Sequence, residues 1–164
     1  MIPPVFAFVG RSNCGKTTLL EKVVAVLTVR GYRVGVVKHT RHRNVALDAL
    51  GTDTRRFWDA GAAHVTLVSP ARVTHAHRYA VEPEVTAILD AVRDVDVVVL
   101  EGYKATSLPK IEVVRAARDP LPLPGLVNRI AFVTDVAALG GMCPCFALDQ
   151  VEAVADFLVS RMDG

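Results

Sequence analysis

The chain has 164 residues, 51% of them hydrophobic and 22% charged, with a formal net charge of +2. This is the composition of an ordinary globular protein, expected to form one domain over residues 1–164 that can bury a core without disulfide or metal staples. No apolar run reaches the ~20 residues that a bilayer-spanning helix needs, and no dense Lys/Arg run or basic aromatic stripe favours nucleic acid as a partner.

In chain order, Val5–Val9 is a short apolar run that stops at Gly10, a strand buried on both faces. Gly15–Arg30 is predicted as a helix, with Leu19, Leu20, Val23, Val24 and Leu27 on one stripe and Gly31 as terminator. Arg33–Lys38 is a second strand, so a βαβ unit with parallel strands follows. Thr40–Thr52 is a polar loop, and Asp53–Ala60 a helix ending at Gly61. Ala63–Ser69 and Arg72–His77 alternate around Pro70 as exposed strands do. Glu84–Val92 is a helix, Val95–Leu100 a buried strand, and Ile111–Val114 and Arg129–Val133 are further strands. Pro120–Gly125 is a rigid connection, and Gln150–Arg161 closes the chain as a helix. The alternation predicts an α/β fold, a mostly parallel sheet flanked by helices with a small antiparallel strand extension.

Charge divides unevenly. Residues 1–60 carry ten Lys/Arg against four Asp/Glu, a net of +6, and residues 61–164 carry nine against thirteen, a net of −4. A phosphate-bearing ligand is the natural partner of the basic half. Three cysteines, Cys14, Cys143 and Cys145, make no disulfide framework and fit a reducing compartment. The start MIPPVFAFVG lacks a charged region followed by a long apolar run, so a cytoplasmic location is expected.

The basic half holds Gly10-Arg11-Ser12-Asn13-Cys14-Gly15-Lys16-Thr17, which fits G-x-x-x-x-G-K-[ST] between a buried strand and a helix. Glycines let several backbone N–H groups converge on one anion, and the following helix adds the positive end of its dipole. Lys16 would reach the β- and γ-phosphates of a nucleotide and Thr17 would give its hydroxyl to Mg²⁺. The whole stretch from Gly10 to Thr18 is the candidate phosphate site.

A nucleotide-bound Mg²⁺ also uses a carboxylate, which in a parallel sheet comes from the carboxyl end of a nearby strand. Glu101 stands there and Asp96 stands at the opposite end, as an exposed strand-start residue. Gly102 lets the backbone pass close to a phosphate. Asp53 is a second candidate metal carboxylate, or else a helix cap. Lys38, His39, Arg41 and His42 cluster after the second strand. Cys143-Pro144-Cys145 has too few neighbouring ligands for zinc and reads as a proline-bent strand start; His75 and His77 read as surface residues.

Together, "GRSNCGKTTL", "VVKHTRH" with "DTRRFWDAGA" downstream, and "VVVLEGYKATSLPKIEVVR" resemble the family of molybdopterin-guanine dinucleotide biosynthesis protein B (MobB) along nearly the whole chain. The resemblance implies a P-loop GTP-binding protein that forms a homodimer. It would assist a partner guanylyltransferase, MobA-like, in attaching GMP to molybdopterin, with feeble GTPase activity of its own. It assigns Gly10, Gly15, Lys16 and Thr17 to phosphate and Mg²⁺, and Glu101 and Gly102 to the acidic strand signature. Lys38, His39 and Thr40 would border the nucleotide, Asp53 would match an acidic position before the second helix, and Thr134 and Asp135 would fall at a base-reading segment, with a helix cap as the other role for Asp135. Arg41 and Arg43 replace a histidine and an acidic residue of the family pattern, which turns that loop toward phosphate or pterin-phosphate contact. The phosphate loop alone is equally compatible with a small-molecule kinase or a metal-insertion GTPase.

Overall fold

The computed structural model describes residues 3–42, 45 and 49–162. In chain order these form β1 (Val5–Gly10), α1 (Lys16–Val29), β2 (Val34–Lys38), α2 (Asp53–Asp59), β3 (His64–Ser69), β4 (Arg72–His77), α3 (Val85–Ala91), β5 (Val97–Glu101), β6 (Lys110–Val114), β7 (Arg129–Thr134), β8 (Cys145–Phe146) and α4 (Val151–Val159). A single 3₁₀ turn, Ala137–Leu139, separates β7 from β8. Neither that turn nor the full extent of β8 is expected from the sequence, although β8 begins within the expected proline-bent strand start at Cys143–Cys145.

Two compact units result: Met1–His39 with Val85–Gly164, and Thr40–Glu84. The first contains a six-stranded sheet in the order β2-β5-β1-β6-β7-β8, every neighbouring pair parallel. The second contains α2 and the antiparallel pair β3–β4. No helix among the described residues is long and apolar enough to cross a membrane.

The central strand explains the layering. Successive side chains of β1 point to opposite faces. Phe6 and Phe8 join Leu19, Leu20, Val23 and Leu27 of α1 and Val154, Ala155 and Leu158 of α4 in one core cluster. Ala7 and Val9 join Val98, Leu100 and Leu89 of α3 in another. All four β1 residues from Phe6 to Val9 are buried because a parallel sheet is covered on both sides. The chain leaves β1 for β2 on one side and passes from β5 to β6 on the other, so a topological switch point lies at the carboxyl end of β1.

At the opposite end, Asp96 accepts hydrogen bonds from the Arg33 backbone N–H (2.7 Å) and guanidinium (Nη2, 2.8 Å), which ties the start of β5 to the start of β2. These bonds, the guanidinium's first, hold the Asp96 carboxyl below the usual carboxylate range. Asp96, expected as an exposed strand-start residue, lies just before β5, clamped to Arg33.

The β6 face opposite α1 and α4 carries two buried charges. The Lys110 ammonium donates to the carbonyls of Thr106 and Leu108, which closes the β5–β6 connection onto the strand, and burial pushes its pKa below the ordinary lysine range. Glu112, 1% exposed, accepts from Arg129 Nε (2.6 Å) and from the Leu123 N–H (2.6 Å). Arg129 also donates to the Leu123 carbonyl at 3.1 Å. Pro120–Gly125 is thereby pinned over the sheet by both polar groups of Leu123, whose side chain joins the apolar cluster beneath. Leu121 gives its N–H to Asp119 at 2.9 Å.

Breaking a buried pair leaves an uncompensated charge, and partial exposure of Arg129 reduces that cost. Glu112→Ala is expected to destabilise the protein by about 2–3 kcal/mol in urea unfolding; a loss under ~0.5 kcal/mol would show that Glu112 does not anchor the proline segment.

Candidate functional site

The loop Gly10–Gly15 turns because three of its residues take positive φ: Gly10 (155°), Asn13 (58°) and Gly15 (91°). Gly10 must be bare, since a Cβ there would lie 2.5 Å from the Val113 carbonyl oxygen and 2.8 Å from Cys14 Sγ. Cys14 carries the buried side chain of the loop, 2% exposed and part of the core cluster under α1. Gly15 is the N-cap of α1 and supplies no capping side chain, and no acidic residue stands in the first turn. The opening N–H groups of α1 therefore meet no side-chain acceptor, which is the chemistry an anion site requires. The predicted helix start at Gly15 moves by one residue to Lys16 because Gly15, at φ 91°, is in the left-handed region and cannot belong to the right-handed helix. Lys16 folds back over the loop, Nζ donating to the Arg11 carbonyl at 2.7 Å and lying 3.7 Å from Cys14 Sγ.

Beside the loop, the ends of three strands meet. In the parallel registers Phe8 and Lys38 both pair with Glu101. The Thr17 hydroxyl donates to the Glu101 carboxylate, whose oxygens lie 2.9 and 3.0 Å away, and Lys38 Nζ lies 3.2 Å from Glu101 Oε2. Backbone bonds lock the same corner: His39 N–H to the Glu101 carbonyl and Gly102 N–H to the Phe8 carbonyl, each 3.0 Å. Gly102 takes φ 101°, and a Cβ on it would come within 3.3 Å of His39 Cβ. Tyr103, at φ 57°, places its ring 5.1 Å from that of His39.

On the other flank, β6 runs beside β1 with Val113 opposite Gly10. The turn after β6 reaches back to the loop: Asp119 Oδ2 lies 2.7 Å from Arg11 Nε, a contact of charge in which that nitrogen makes no hydrogen bond. Asp135, after β7, accepts the Ala116 N–H at 2.7 Å, while Thr134 accepts the Val136 N–H at 3.0 Å.

The structure thus gathers Gly10–Thr18, Lys38, His39, Glu101 and Gly102 at one end of the sheet, with Thr134 and Asp135 at the end of β7. Thr40 and Asp53 belong to the other unit. Asp53 is exposed and lies 3.5 Å from Arg56, and the cap of α2 is Thr52, whose hydroxyl accepts the Arg55 N–H. Arg41 is exposed and Arg43 lies outside the described residues. Tyr103, Arg115 and Asp119 are not picked out by the sequence; Tyr103 and Arg115 both stand inside the quoted segment "VVVLEGYKATSLPKIEVVR", whereas bringing Arg115 and Asp119 to the loop requires that β6 border β1. Nor is His64, which faces His77 across the β3–β4 pair with Nδ1 atoms 3.3 Å apart. Among the described residues no group of three His, Cys, Asp or Glu is placed to hold a metal ion.

A parallel sheet with a glycine-rich loop at its switch point, an uncapped helix start, and a hydroxyl–carboxylate pair beside it define a P-loop nucleotide-binding protein. Residues 5–135 match the family model described as molybdopterin guanine dinucleotide synthesis protein B (MobB). Two relatives described as molybdopterin-guanine dinucleotide biosynthesis adapter proteins resemble the chain over nearly its whole length. That of Escherichia coli (strain K12) is 33% identical, covering 97% of this chain and 93% of the relative. That of Haemophilus influenzae is 31% identical, covering 94% and 87%. The crystal structure of a MobB homolog from Bacillus stearothermophilus superposes with a TM-score of 0.70 at 26% identity, covering 97% of each chain. The chain belongs to the MobB family.

Overpacking at a left-handed glycine costs about 1–3 kcal/mol. Gly10→Ala is therefore expected to lower thermal stability measurably even without any ligand; an unchanged melting curve would show that the loop can draw away from β6.

Proposed function

We propose that this chain is a GTP- and Mg²⁺-binding adapter in molybdenum cofactor assembly. As a homodimer it supports a MobA-like guanylyltransferase in converting molybdopterin to molybdopterin guanine dinucleotide, with molybdopterin as a second ligand. Family membership and the names of the relatives favour this reading over a kinase or a metal-insertion GTPase.

The observation that carries the nucleotide part is the contact between Thr17 and Glu101. A hydroxyl that donates its proton to a carboxylate keeps its lone pairs for a cation, and the carboxylate supplies the negative charge that a hard cation needs. Thr17 and Glu101 would hold Mg²⁺, which when bound neutralises phosphate charge. Lys16 exchanges the Arg11 carbonyl for phosphate oxygens, and the backbone N–H groups of Asn13 to Thr18 receive the remainder. Lys38 steadies Glu101 from the neighbouring strand, and His39 borders the site.

Fast hydrolysis needs a positioned water. The chain's one glutamine, Gln150, accepts the Ala147 N–H beside α4 and is committed there. Slow turnover follows, far below the ~1–100 per second of kinases. Titration calorimetry is expected to show GTP binding that requires Mg²⁺ and is lost by at least ~100-fold in Lys16→Ala; absence of binding by the wild type, or turnover on the order of tens per second, would overturn the reading.

Guanine reading falls to Asp135, whose carboxylate would accept from the ring N1–H and 2-amino groups. One of its oxygens accepts the Ala116 N–H, which fixes the carboxylate while leaving the second oxygen and a further lone pair on the first for the base. Competition of GTP against ATP should show guanine preference in the wild type and a loss of about tenfold in that preference in Asp135→Ala; equal weakening for both nucleotides would remove the base-reading role.

A further inference from the structure

We propose that Arg115 is a second phosphate-binding cation of the nucleotide site, delivered to the loop by the strand on the side away from Glu101. The proposal rests on the nucleotide reading above and adds a residue to it. Val113 of β6 is in register with Gly10, so the chain two residues further on emerges beside the loop. There the Arg115 guanidinium lies 3.7 Å, at Nη1, from the position a Cβ on Gly15 would occupy. It stands beside the loop at Gly15, where the uncapped N–H groups of α1 begin.

Charge balance supports the assignment, and position beside Gly15 distinguishes Arg115 from its neighbour Arg118. Arg11 is matched by Asp119, Lys38 by Glu101 and Arg129 by Glu112. Among the described residues no carboxylate lies within ion-pair distance of Arg115, and its side chain is exposed at the mouth of the loop. Its backbone is nonetheless fixed. The Arg115 carbonyl accepts the N–H groups of Arg118 (2.9 Å) and Asp119 (3.0 Å), the next N–H is held by Asp135, and the end of the turn is drawn to Arg11. An unmatched guanidinium on a fixed turn is preorganised for phosphate: its planar set of donors fits phosphate oxygens and loses little freedom on binding. The turn Arg115–Asp119 thereby contacts the phosphate loop and the segment after β7 together.

The test uses the full chain with GDP and GTP in the presence of Mg²⁺. Arg115→Ala should weaken both nucleotides about tenfold or more, as expected for loss of a charge-assisted contact to phosphate. Arg115→Lys, which restores charge without the planar fork, should fall between the two. The affinity of Arg115→Ala should also depend less steeply on salt than that of the wild type, and its nucleotide-free melting temperature should stay within about 2 °C of the wild type. Affinity within twofold of the wild type would overturn the proposal, as would a loss of affinity accompanied by a matching loss of nucleotide-free stability. Unchanged binding in Arg115→Ala together with lost binding in Lys16→Ala would refute the Arg115 role and leave the nucleotide reading intact; no binding by the wild type would remove both.

Discussion

One end of the sheet is organised around a space no larger than a methyl group. Because Gly10 carries no side chain, the Val113 carbonyl and the Cys14 sulfur close in on it, and β6 runs past the end of β1 with no gap. The loop is then gripped from beneath by Cys14 in the core and bordered on one flank by Glu101, the last residue of β5, and on the other by the polar turn that follows β6. Glu101 arrives from β5 to meet Thr17, and the turn after β6 arrives from the other side to meet Arg11. A larger residue at position 10 would separate the loop from β6 and loosen one flank.

The uneven charge of the two halves has an internal explanation as well as an external one. Arg11, Arg30, Arg33 and Lys38 come from the basic first part of the chain. They pair with Asp119, with Glu152 and Asp156, with Asp96, and with Glu101, all from the acidic remainder. Most of these pairs are exposed and contribute little stability individually. Their collective effect is to leave few basic groups at the loop without a counter-charge, Lys16 foremost. The local potential near a phosphate is thus far more focused than the net of +6 over residues 1–60 suggests.

Much of this architecture was legible in the residues. β1, β5 and the helix stripe of α1 follow from apolar runs and a 3.6-residue period, and the loop from a spacing that only a phosphate cradle needs. Lys16, Thr17 and Glu101 were readable because their roles depend on local position at a strand end or helix start. What could not be read depends on strand order. Nothing in "KIEVVRAARD" says that β6 lies beside β1, so Arg115 and Asp119 carry no signal of their own in the sequence. Glu112, a charge inside an apolar run, did not announce that Arg129 and Leu123 would satisfy it. Thr52 rather than Asp53 caps α2 because a cap is chosen by where the chain enters the helix, to within one residue.

The proline segment over β6 and β7 has a further property. In Pro120-Leu121-Pro122-Leu123-Pro124 the prolines have no N–H, so only two amide donors exist in five residues. Both are spent on carboxylates, Leu121 on Asp119 and Leu123 on Glu112. The strip of backbone laid across this side of the sheet therefore offers no amide to a passing strand. A cover built this way cannot itself seed intermolecular β-pairing, so the molecule shields an apolar sheet surface with a segment that is inert toward aggregation.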